Sequence, residues 1–139
     1  MRLAALTLLA FGLFHHPLDC QSTRKDDPPT ELWRAIKRKL SGPDGREYFE
    51  KSMKDAQIPT LYGTLVSSSP ADHPYTFLVA MADSSDPEVA LNLDGRLEKP
   101  LPAGTLVEFE GVAVAFTTAP FMLTFDVETV YFRVRPKSK

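Results

Sequence analysis

Residues 106–128, LVEFEGVAVAFTTAPFMLTFDVE, constrain the fold more tightly than any other part of the chain. Val107 and Phe109 alternate with Glu108 and Glu110, and Phe121, Leu123, Phe125 and Val127 alternate with Met122, Thr124, Asp126 and Glu128. Alternation of period two puts one set of side chains on each face of a strand. Two such strands, joined by a short connection through Pro120, form a hairpin that is apolar on one face and acidic on the other. The C-terminal half is thereby committed to a small antiparallel β domain.

Three more strands precede the hairpin. Residues 61–67 (LYGTLVS) form the first, and residues 75–82 (YTFLVAMA), rich in types that suit a pleated surface, the second. Residues 88–94 (EVALNLD) send Val89, Leu91 and Leu93 inward and Glu88, Ala90, Asn92 and Asp94 outward. Clusters of Ser, Asp and Pro between them are turn chemistry. The hairpin strands then span 105–116 and 121 to about 134. Gly111, inside a strand, predicts a bulge or sharp bend. After Thr129 the apolar parity switches to Val130, Phe132 and Val134, which predicts a bulge or a change of partner.

Five strands, some long enough to bend, predict a mainly β fold. The expected form is a small five-stranded antiparallel barrel of the oligonucleotide/oligosaccharide-binding (OB) type, preceded by one or two short α-helices. Closure removes exposed sheet edges. A five-stranded sandwich or meander capped by a helix is the alternative. Residues 95–103 are too few and too Pro-rich for the helix usually found between strands three and four, so the N-terminal helices are expected to plug the barrel end.

Those helices lie at 30–57. Thr30 suits an N-cap, and Leu32, Trp33, Ile36 and Leu40 form one apolar stripe. Ser41, Gly42 and Pro43 stop the helix. A second helix is expected at about 46–56, with Tyr48, Phe49, Met53 and Ala56 on one face. Ahead of them, residues 1–20 read as a secretory signal: Arg2, the apolar run LAALTLLAFGLF, then a polar exit. Residues 21–29 (QSTRKDDPP) read as a flexible linker, residues 58–135 as the barrel domain, and residues 136–139 as a frayed tail. The chain has a single cysteine, Cys20, which excludes an intramolecular disulfide. Cys20 is also the candidate lipidation residue, although Asp19 before it fits a lipobox poorly.

The wording YGTLVSSSP, FLVAMADSSDPEVALNLDG and LPAGTLVEFEGVAVAFTTAPFMLTFDVE resembles a C-terminal module of bacterial exported tetratricopeptide-repeat proteins. In those proteins a similar segment follows the helical repeats. The resemblance covers roughly residues 30–131, and the present chain has the module without the repeats. It implies an exported, OB-like module, and the family brings no established activity.

The residues themselves favour binding over catalysis. No catalytic residue, metal site or cofactor is expected. His73, the histidine that follows the leader, sits in a Pro-flanked loop, and a lone imidazole makes no zinc site. Glu108, Glu110, Asp126 and Glu128 share a hairpin face and could serve as paired acid and base, or hold Ca²⁺, but alternation alone predicts a solvated acidic face. The alternative to a non-catalytic interaction module is an oligosaccharide- or nucleic-acid-binding OB protein, with a carboxylate-based hydrolase a lesser one. Nucleic acid is disfavoured by charge: residues 60–135 hold ten acids and four bases, a net −6, whereas phosphate binding needs cations. The expected function is an exported binding module of the bacterial cell envelope, periplasmic or secreted, with an envelope protein or glycan as partner and a membrane link only through a lipid on Cys20. Phe116, Thr117, Thr118, Phe121 and Met122, at the hairpin connection, form the candidate contact patch.

Overall fold

The computed structural model describes residues 27–136. The leader, Cys20, most of the 21–29 linker and residues 137–139 lie outside the described residues.

The first helix, α1 (Pro28–Ser41), begins two residues before Thr30. Asp27 is its N-cap and accepts from the Thr30 N–H at 3.3 Å. Pro28 and Pro29 occupy the first turn, where a missing N–H removes no helical bond. A run that reads as linker by composition is therefore a helix start. Trp33, Ile36 and Leu40 form its buried stripe. The expected second helix is shorter: α2 (Gly45–Tyr48) passes into a single π-helical turn, Phe49–Met53. Gly45 is held where a Cβ would stand 2.0 Å from the Leu40 carbonyl oxygen, so the two helices meet through a residue without a side chain.

The strands are β1 (Gln57–Ser69), β2 (Thr76–Ala80), β3 (Val89–Leu93), β4 (Leu106–Thr118), β5 (Phe121–Val127) and a short β6 (Phe132–Val134). Their order is β1-β2-β3-β5-β4, and β1 pairs again with β4 to close the ring. The result is the expected mainly β, OB-like barrel of five strands, closed and preceded by two short helices. Neighbours run antiparallel except β3 and β5, which run parallel from Val89↔Leu123 to Leu93↔Val127. Thirteen-residue β1 serves two partners, β2 and β4, and thirteen-residue β4 serves three, β1, β5 and β6, by bending. Bulges supply the bends, at Leu65/Ser67, at Ile58/Leu61 and at Ala113/Ala115.

The expected bend at Gly111 sits three residues later, around Val114. Gly111 answers a different need: a Cβ there would fall 2.5 Å from the Asp126 carbonyl oxygen and 2.8 Å from Val127 Cγ2. The glycine lets β4 and β5 approach. The parity switch after Thr129 is a 3₁₀ turn, Thr129–Tyr131, after which β6 pairs with β4 at Val107–Phe109.

The core is continuous from barrel to helices. Phe109 and Phe125 meet edge to face at 5.6 Å, and Phe77 stacks on Phe132 at 4.8 Å. At the β4–β5 hairpin end, Phe116 packs against Phe121 (5.3 Å) and Phe49 (5.8 Å), and Trp33 sets its edge on Phe121 at 6.1 Å. The N-terminal helices thus cover this end.

Candidate functional site: an acidic groove across four strands

Register brings one row of residues across the outer face of the barrel. Asn92 of β3 lies beside Asp126 of β5, Asp126 beside Val112 of β4, and Val112 beside Gln57 of β1. A groove of about 370 Å³ follows this row. Leu93, Gly111 and Val127 give its lining an apolar part, and Tyr131 of the 3₁₀ turn forms a wall. Asp94, Glu110, Asp126 and Glu128 bring four carboxylates to it, and no lysine or arginine lines it.

Each acid is positioned differently. Asp94 Oδ1 accepts from the Thr129 hydroxyl at 2.7 Å and from the Thr129 backbone N–H at 2.9 Å. The Thr129 hydroxyl, then its N–H, holds the Asp94 carboxyl below its ordinary value. Glu110 Oε2 accepts from the Thr60 hydroxyl at 2.7 Å. Asp126 Oδ1 accepts from the Asn92 amide at 3.5 Å. Among the described residues the ion pairs lie elsewhere: Arg34–Asp83, Lys37–Glu88, Lys51–Glu47, Lys54–Glu50 and Arg135–Glu108. Among the described residues the groove acids have no such partner.

Three of the four hairpin acids singled out by alternation, Glu110, Asp126 and Glu128, meet at the groove. Glu108 does not: it faces Arg135 at 3.7 Å, and that guanidinium lies 4.2 Å from the Tyr62 ring centroid. Asp94 joins instead from the residue after β3, and Tyr131 from the 3₁₀ turn. Alternation does place Asp94 outward, but only the parallel β3–β5 pairing sets it beside β5, and that pairing carries no local sequence signal.

The candidate contact patch lies at the helix-covered end. Phe116 is only 6% exposed. Phe121 is half-buried beneath Trp33, with the Lys37 ammonium 5.7 Å from its ring. Met122 is half-buried, while Thr117 and Thr118 are exposed, and Thr117 Oγ1 donates to the Pro120 carbonyl at 2.8 Å. His73 is exposed and bonds locally with Asp72. Among the described residues no group of three or more His, Cys, Asp or Glu is arranged to hold a metal ion, and no helix is long and apolar enough to cross a membrane.

A second hollow, about 280 Å³, lies between α1 and the turn after β2. Two of its charges are matched: Arg34 Nε donates to Asp83 Oδ2 at 2.7 Å, and Lys37 pairs with Glu88. The groove differs in sign: its charged lining is acidic throughout.

Comparison of the chain with protein-family models, with curated proteins and with solved structures finds no match.

Proposed function

We propose that this protein is a non-catalytic binding module of the bacterial cell envelope, exported by its N-terminal leader, that receives its ligand in the groove across β3, β5, β4 and β1. The observation that carries the proposal is the groove itself: a concave surface of ligand size, part apolar, whose convergent carboxylates have no ion-pair partner among the described residues. Export is supported by the charged start, apolar run and polar exit of residues 1–20.

Binding fits the groove better than catalysis does. Thr129 fixes Asp94, Thr60 fixes Glu110 and Asn92 fixes Asp126 as hydrogen-bond acceptors, which suits recognition of a donor ligand. Oligonucleotide binding fits worse, because OB barrels engage such ligands on the β2–β3 face with the adjoining loops, whereas this groove reaches across β4 and β5. Its carboxylates also repel phosphates.

A photo-crosslinking amino acid placed at Gln57 in the full chain, expressed in a bacterial host, tests both parts. The expected result is an adduct of discrete mass in the periplasmic fraction, with none from the same group at Lys51 on the helical face. An adduct from Lys51 and none from Gln57 would count against the groove, and retention of the chain in the cytoplasm would count against export.

A further inference from the structure

We infer that the groove takes a cationic polypeptide segment, an extended peptide whose lysine or arginine heads meet Glu110, Asp126 and Glu128 while an apolar neighbour rests on Tyr131. This inference builds on the assignment of the groove as the binding surface.

Charge complementarity argues for the cation. Five acids elsewhere are answered by a lysine or arginine of the same chain. Seven other described acids also have no ion pair, but among the described residues the four in the groove are the ones that converge on a single concave surface, and no basic residue lines it. Opposed charges across an interface set partner choice and speed encounter.

A second observation, independent of charge, argues for a peptide. The described residues expose four large hydrophobic side chains, and two of them, Val130 at 71% and Tyr131 at 42%, are adjacent on the 3₁₀ turn. Tyr131 is the groove wall. Single exposed apolar residues are ordinary, but an exposed aromatic ring on the wall of a concave, part-apolar surface is a feature of ligand sites. Carboxylates next to an aromatic wall suit lysine and arginine, whose alkyl stems lie on apolar surface while the charged head reaches past it. Size agrees: the groove stands at the small end of the roughly 300–1,000 Å³ ligand range. It admits side chains of an extended segment and has no room for a folded domain.

The test titrates the full chain with a fluorescein-labelled peptide of alternating lysine and leucine. Anisotropy and backbone amide shifts are followed, with matched serine–leucine and glutamate–leucine peptides and spermine alongside. The lysine–leucine peptide is expected to shift Asn92, Val112 and Tyr131. Asp126→Asn with Glu128→Gln should weaken it about tenfold, and Tyr131→Ala severalfold. Glu47→Gln with Glu50→Gln removes the same charge from the helical face and should leave affinity unchanged. Equal weakening by both double variants would reduce the effect to net charge and overturn the inference. Groove shifts caused by the serine–leucine or glutamate–leucine peptide or by spermine, without any from the lysine–leucine peptide, would overturn the cationic-peptide assignment and leave the groove standing. Shifts nowhere in the groove with any probe would overturn both.

Discussion

At the residue scale, Gly111 and Asp94 carry consequences that their neighbours do not. Gly111→Ala would force a methyl group against the Asp126 carbonyl and Val127. Overpacking of this kind costs about 1–3 kcal/mol, so the variant should unfold at lower urea concentration with an unchanged slope. Asp94 gives a pH signature. Its folded-state carboxyl titrates below its ordinary value of 3.8 because Thr129 donates to the ionised form. Its contribution is therefore complete above the unfolded value and is lost as pH falls through the depressed folded value. The gap in melting temperature between wild type and Asp94→Asn should be constant from neutral pH to about pH 5 and should close below pH 3.8. Both roles were half legible in the sequence. A glycine in a strand announces that something is unusual there, but bulge and close approach look identical until the neighbouring strand is placed. Asp94 before Gly95 reads as turn chemistry, and its bond to Thr129 spans 35 residues.

At the element scale, α1 is a structural part of the barrel. Trp33, Ile36 and Leu40 are buried, and the helix is further fixed by the Lys37–Glu88 and Arg34–Asp83 pairs. Among the described residues Trp33 Nε1 has no hydrogen-bond partner, so within them the indole contributes through packing. Trp33→Ala should cost about 3–5 kcal/mol, whereas Trp33→Phe should cost on the order of 1–2 kcal/mol, because no hydrogen bond is lost with the N–H. Equilibrium urea unfolding of both variants checks the ranking, and equal losses would mean that the N–H has a partner. The helix stripe and the alternating strands were legible because period 3.6 and period 2 are local signals. The strand from 121 to about 134 was legible as a stretch with a parity fault, although the fault proved to be a helical turn. The π-helical turn at Phe49–Met53 was not legible, since a single wide turn keeps the apolar spacing of an ordinary helix.

At the scale of the whole molecule, helices and barrel share one core. Phe49, Phe116, Phe121 and Trp33 form an unbroken chain of ring contacts from the helical segment into the hairpin. The chain holds one tryptophan, and it lies in α1. Its fluorescence reports helix docking, while the amide NMR signals of β3, β4 and β5 report the barrel. The two probes should give one coincident unfolding transition. An earlier fluorescence transition would show that α1 leaves before the barrel opens.

Barrel closure also fixes where negative charge accumulates. Along the extended polymer Asp94 is far from Glu110, Asp126 and Glu128. They become neighbours only when β3 docks beside β5 and β4 pairs with β5, so that docking works against mutual repulsion. Counter-ions should ease that step. Sodium chloride is expected to raise the melting temperature of the wild type more than that of Asp126→Asn with Glu128→Gln, which makes the ionic medium a participant in how firmly the ring stays shut.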